Sequence, residues 1–155
     1  MMSKPEPNEK DIQVSLKLFV VLTRALQAIE TQIVQNIKSY GLNLTEFGVL
    51  ELLYHKGDQP IQKIGQKVLL ASSSITYVVD KLEEKGFLAR KACATDRRVT
   101  YAALTDKGKA LMDEIFPKHA AEVKNIMGGL SPEEQERLIE KVKRLGLYAR
   151  DYSKD

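Results

Sequence analysis

The chain has 155 residues, 43% of them hydrophobic and 29% charged, with a net charge of +3. That suits one domain, or one small domain with helical extensions, and excludes global disorder. No unbroken apolar run approaches the roughly 20 residues of a membrane span, the polar N-terminus lacks the apolar core of a secretion signal, and a lone Cys93 suits a reducing cytoplasm.

Residues 1–10, with Pro5, Pro7 and alternating charges, read as a flexible tail. From Asp11 to Tyr40 apolar residues recur every three or four positions (Leu16, Phe19, Leu22, Leu26, Ile29, Ile33, Ile37), which predicts a long amphipathic helix stopped at Gly41. Thr45 is the expected cap of a second helix to His55, carrying Phe47, Leu50, Leu53 and Tyr54 inward. Gly57-Asp58 turns the chain, and Pro60 leads into a short helix over 62–68. Ser72 is the expected cap of a fourth helix ending at Lys85-Gly86. Its inward residues are Ile75, Val78 or Val79, and Leu82, leaving Ser73, Ser74, Thr76, Tyr77 and Lys81 outward or on the shoulders. Strand-like runs at 87–92 and 99–104 flank a tip holding Thr95, Asp96, Arg97 and Arg98. Thr105 then caps a fifth helix containing Pro117 as a kink. Ser131-Pro132 with Glu134 opens a sixth through a capping box.

Charge is unevenly placed. Lys81 to Lys109 holds eight basic and four acidic residues, so the rest of the chain sums to −1. Helix, serine-rich helix, then strand, basic loop and strand is the order of a winged helix-turn-helix. One helix enters the major groove, through Ser72, Ser73, Ser74, Thr76, Tyr77 and Lys81, and the wing reaches neighbouring backbone or minor groove through Arg97 and Arg98. The fold expected is mainly α with a small β-hairpin. Long helices at both ends predict a homodimer whose two recognition helices read a palindrome on double-stranded DNA. The division expected is 11–44 and 106–155 for dimerisation and 45–105 for DNA.

Leu44–Leu50, Ser74–Gly86, Asp96–Arg98 and Leu104–Gly108 also carry a resemblance, the last three being highly specific in that order and spacing. The chain resembles the MarR family of bacterial transcriptional regulators over nearly its whole length. The resemblance implies a homodimeric repressor released from its operator by small molecules, often phenolic, or by oxidants. It implies that Arg98 enters the minor groove and that Asp96 braces the wing through an ion pair, with Arg97 at a variable position between them. The runs 54–60, 74–79 and 96–99 are similar to the MhqR-type subgroup, which responds to quinones and hydroquinones. A ligand crevice is implied where the first, second and fifth helices meet. Phe19, Phe47 and Phe116 fall on those helices, either as a slot for an aromatic effector or as plain core residues. The family's thiol-switch branch has a cysteine near the start of its first helix, which residues 11–18 lack. Cys93 at the wing's base is either a thiolate favoured by Arg90, Lys91, Arg97 and Arg98 or an inert strand-end residue.

An enzyme is not expected, nor any cofactor or metal. His55 and His119 are the only histidines and stand in no ligand spacing, His119 reading as exposed. No phosphate-binding glycine loop or nucleophile elbow occurs. The competing reading is a winged-helix protein-interaction module without sequence-specific DNA binding, its basic hairpin a solvated surface. RNA is disfavoured because only Tyr77 and Tyr101 offer rings for stacking.

Overall fold

The structure, a computed structural model, describes residues 6, 8–68 and 74–153. Helix α1 spans Glu9–Lys38, capped by the Asn8 side chain, which accepts from the Lys10 N–H at 3.1 Å. It therefore starts inside the stretch expected to be a tail, because Asn8 supplies a cap the charge pattern hides. Only Ile37 of α1 is fully buried, and the helix is exposed from Glu9 to Val21. By length and composition α1 is apolar enough to cross a bilayer, which corrects the expectation that nothing in the chain is. Its apolar residues are broken by Gln13, Ser15, Thr23 and Gln27, with Lys17 and Arg24 the charged residues between Ile12 and Ile29, so a search for unbroken runs misses them.

Helix α2 covers Leu44–Lys56. Its cap is Asn43, not Thr45: the Asn43 side chain accepts from the Glu46 N–H at 2.8 Å and the Glu46 carboxylate accepts from the Asn43 N–H at 3.0 Å. This reciprocal pair satisfies two orphan donors and leaves Thr45 fully buried within the first turn. Strand β1 is Gln59–Pro60, and α3 follows at Ile61–Lys67. Helix α4 is Ile75–Glu84, with Ser74 at the cap position in an extended conformation, ψ 130°, and no side-chain cap bond. The cap expected at Ser72 is thus moved to Ser74, since that ψ breaks the helix. Ser72 and Ser73 themselves lie outside the described residues. Val78 and Val79 are both buried, together with Leu82.

Strands β2 (Leu88–Ala92) and β3 (Thr100–Leu104) form an antiparallel hairpin. Residue Leu88 pairs with Leu104 and Ala92 with Thr100, while β1 adds to the far side of β3, giving the order β1-β3-β2. Helix α5 (Asp106–Ile126) runs through Pro117 without a break, and α6 (Pro132–Arg150) opens on the expected Ser131–Glu134 capping box. The core lies where α2, α3, α4 and the sheet converge with α5, around Phe47, Leu50, Leu53, Ile64, Val78, Leu82, Leu88 and Met112. Helix α6 buries no residue of its own.

One junction fixes how these parts meet. The Thr105 side chain accepts from the Gly108 N–H at 3.0 Å and donates to the Gly86 carbonyl at 2.6 Å. Gly86 has φ +79°, which a side chain would strain, and so turns the chain sharply out of α4. A Cβ on Gly108 would lie 2.1 Å from the Phe87 carbonyl oxygen and 3.0 Å from Leu104 Cδ1. Gly108→Ala should therefore lower stability by about 3 kcal/mol, the upper end of ordinary overpacking. Urea unfolding checks this, and a loss well under 1 kcal/mol would show that the backbone moves aside easily.

Candidate nucleic-acid interface

Helices α3 and α4 form the helix-turn-helix pair, packed closely enough that a Cβ on Gly65 would stand 3.3 Å from Ile75 Cγ1. With Val78, Val79 and Leu82 inward, the opposite face of α4 carries Ser74, Thr76 and Tyr77, all exposed. Lys81 is partly exposed on the same helix. Its ammonium sits 5.5 Å from the Tyr77 ring centroid and 3.7 Å from Glu84. Among the described residues, Ser74, Thr76, Tyr77 and Lys81 thus share one helix, and short hydroxyls beside an aromatic leave room for a groove wall.

At the wing the hairpin closes through Cys93 N–H to the Val99 carbonyl and Val99 N–H to the Asp96 carbonyl, both 3.1 Å. Asp96 folds over the tip and accepts from the Arg98 main-chain N–H at 3.0 Å and from Arg98 Nε at 3.2 Å. Those contacts, main chain first, hold the Asp96 carboxyl below its ordinary pKa. The Arg98 side chain is nonetheless 90% exposed, so its fork is braced at the root and open at the end. Arg97 beside it is exposed as well.

A second feature lies behind the helix-turn-helix. A cavity of about 540 Å³ opens between α1, α2 and α5, walled by Ile33, Ile37, Leu44, Phe47, Leu52, Phe116 and Val123 and fringed by Glu51, His55, Lys56, Lys67 and His119. Phe47 and Phe116 come together here, with the His119 ring 4.5 Å from Phe47 and 6.2 Å from Phe116. Phe19 does not join them within the chain: it lies on the exposed half of α1, 70% accessible. Its neighbours Leu16 and Leu18 are exposed as well.

The MarR family model matches residues 42–100, from just before α2 to the first residue of β3. The HTH-type transcriptional regulator MhqR of Bacillus subtilis (strain 168) is 59% identical over 138 residues, covering 89% of this chain and 95% of that protein. The chain belongs to the MarR family. It is accordingly a transcriptional regulator of a DNA-binding, non-enzymatic class. Two solved MarR-like folds superpose on it. One is Sco3205, a MarR family regulator from Streptomyces coelicolor in complex with DNA, at TM-score 0.75 and 20% identity, covering 98% of this chain and 95% of that one. The other is BpsR of Bordetella bronchiseptica, from work on regulation of its DNA binding by 6-hydroxynicotinic acid, at TM-score 0.71 and 24% identity over 86% and 92% of the two chains.

Within this MarR fold two side chains depart from expectation. Cys93 is partly exposed and its pKa is lowered, but chiefly by the Thr95 hydroxyl 3.3 Å from Sγ and then by main-chain N–H groups of Thr95 and Asp96. Arg90 and Arg98 are bonded to Asp80, Glu83 and Asp96 instead, and the Asp96 charge opposes the shift. His119 is not exposed; it is buried to 7% accessibility and bonds through Nδ1 to Asn36 Oδ1 at 2.8 Å. Its position was readable: Met112, Ile115, Phe116, His119 and Val123 follow one helical stripe. Glu51 on α2, whose carboxyl is pushed up by burial, gave no such signal.

Burial lowers the His119 pKa from 6.5, so the native state disfavours its proton. The stabilisation is fully present above pH 6.5, and it is lost as pH falls through that value toward the lower native pKa, where the unfolded chain takes up the proton first. Urea midpoints should fall between neutral and mildly acid pH in wild type, and fall less steeply in His119→Gln. Parallel curves for the two proteins would show that His119 is not held neutral.

Proposed function

We propose that the chain is a cytoplasmic repressor that grips a palindromic operator as a homodimer and releases it when a small aromatic effector, a phenol or quinone, fills the cavity between α1, α2 and α5. The observation that carries the DNA reading is Arg98, braced at its root by Asp96 and almost wholly exposed at its end. A protein-interaction module has no need of such a braced arginine beside an exposed hydroxyl-bearing helix face. In this reading residues 45–105 read DNA, with Ser72 and Ser73 joining Ser74, Thr76, Tyr77 and Lys81, and residues 11–44 and 106–155 dimerise. Support for the dimer comes from exposed Leu16, Leu18 and Phe19 on α1 and Leu138, Val142 and Leu145 on α6. An apolar cleft of about 520 Å³ joins the two helices. Contiguous exposed apolar surface of this kind marks interfaces.

The effector reading is supported by two phenyl rings facing a mostly apolar space of a size that suits small ligands. BpsR, which shares the fold, has its DNA binding regulated by 6-hydroxynicotinic acid, a hydroxylated aromatic acid. Cys93 offers a second route, in which a thiolate at the wing's base is alkylated where DNA is held.

Selection of bound fragments from the source genome identifies the operator. On the selected fragment Arg98→Ala should weaken binding by about 1–3 kcal/mol, and Arg97→Ala by less. Fluorescence anisotropy reads both, and unchanged affinity in both variants would sink the wing's role. Adding 2-methylhydroquinone or benzoquinone to the complex should release DNA. Release that persists in Cys93→Ser and reverses on dialysis assigns the cavity, release confined to wild type assigns the thiol, and no release in either removes the aromatic effector.

A further inference from the structure

Arg90 lies in the basic hairpin, yet its charge is turned away from the wing's tip. From β2 its Nη2 donates to Asp80 Oδ1 at 2.5 Å and its Nη1 to Glu83 Oε1 at 2.8 Å. The Arg90 main-chain N–H donates to the other Glu83 oxygen at 3.1 Å. Asp80 and Glu83 are three residues apart on α4, so both carboxylates stand on one face of that helix. Strand β2 is an outer strand of the sheet, and its outward amide at Arg90 would otherwise be an open edge donor. Glu83 closes it. The helix and the wing are therefore joined twice, by the Lys85-Gly86-Phe87 turn and by this fork.

We infer that Arg90 is a positioning residue for DNA binding: it fixes the angle between α4 and the wing, so that the Tyr77 face and Arg98 meet the duplex in one register. The inference rests on the reading that α4 and the wing both face DNA. A lone exposed ion pair would contribute little. Here a planar guanidinium bridges two carboxylates, and one of these also holds a main-chain N–H, a geometry lysine cannot reproduce. Electrostatics sharpens the point. Asp80 and Glu83 put negative charge on the helix that approaches a polyanion, which opposes binding unless those groups have another task.

That conflict of sign supplies the test. Asp80→Asn and Glu83→Gln each remove a negative charge, so simple attraction predicts tighter DNA binding, whereas a lost clamp predicts weaker binding. Affinity is measured for the fragment selected from the genome and for a random-sequence duplex of equal length, over a range of salt. Expected is a loss of about threefold to thirtyfold on the selected fragment for each variant, with binding to the random duplex unchanged or tighter. Arg90→Ala should leave the salt slope intact, where loss of a phosphate contact would flatten it by about 0.9. The losses from Arg90→Ala and Arg98→Ala should combine to less than their product. In the free protein, Asp80→Asn and Glu83→Gln should speed amide hydrogen exchange in β2 and β3. Equal or tighter binding of the selected fragment by both carboxamide variants, fully multiplicative losses, or unchanged exchange would each overturn the clamp. A wild-type chain that retains no fragment while exchange still responds would instead overturn the DNA reading on which the clamp's purpose depends.

Discussion

Where α4 ends, the wing begins and α5 starts, all within a few ångströms, and the chain has little freedom in how it makes that meeting. Thr105 bonds to Gly86 on one side and Gly108 on the other. Its main-chain N–H donates to the Phe87 carbonyl at 3.1 Å, and Lys107 Nζ donates to the Lys85 carbonyl at 2.8 Å. Three of these bonds reach the carbonyls of the turn that follows α4, at Lys85, Gly86 and Phe87, and the fourth caps the first turn of α5. The absence of a side chain on Gly108 permits the approach, and the positive φ of Gly86 permits the turn. A winged helix reads DNA with two separate elements, so their relative position has to be set by the fold. This junction sets it at one end, and the pairing of β2 with β3 carries it to the tip.

The electrostatics of the basic segment differ from what its charge count suggests. Lys85 is held 2.6 Å from the buried Glu46 carboxylate, binding the end of α4 to the start of α2. Arg90 is taken by Asp80 and Glu83, and Lys91 approaches Asp58 at 3.8 Å. Lys109 faces Asp113 at 3.4 Å. Much of the surplus positive charge thus braces the scaffold rather than standing as a polyanion-binding face. What projects from the tip is Arg97 and Arg98, and Arg98 keeps its ion pair to Asp96 while exposed. Specific binding through such a surface depends on geometry more than on bulk attraction, because few charges remain to grip any duplex indiscriminately.

Local features were legible wherever a residue's role is decided within one or two turns. The Ser131–Glu134 box, the glycine stops and the two wing strands follow from spacing alone, while the Asp96–Arg98 brace was expected only from the family resemblance. Asn43-x-x-Glu46 was equally local, yet Thr45 competes as a cap candidate, and only the burial of Thr45 against the core separates them. Strand β1 spans two residues, too few for any period, and exists because β3 offers it an edge. His119 was misread because its partner, Asn36, is distant in sequence and the polar ring hides on an otherwise apolar stripe. Phe19 illustrates the reverse: its stripe is real, but α1 is exposed from Glu9 to Val21, so periodicity alone cannot say what covers it.

That unpaired length of α1 bears on how a ligand would reach DNA. The cavity takes its walls from α1 and α5 on one side and from α2 on the other, with Lys67 at the end of α3 on its rim. Helices α1 and α5 belong to the proposed dimerisation region, and α2 and α3 to the proposed DNA-reading region. Filling the space changes the angle between these two groups only if the ligand fits one arrangement better than the other. A hundredfold fall in operator occupancy requires about 2.7 kcal/mol of such preference, near the upper end of what full burial of one phenyl ring supplies. The polar fringe makes the preference depend on chemistry as well as shape. The buried His119 ring is already committed through Nδ1 to α1, so a ligand that disturbs it also disturbs the Asn36 tie between α1 and α5. In a dimer built on α1 and α6, that tie is the most direct mechanical link between a cavity in one subunit and the spacing of two recognition helices.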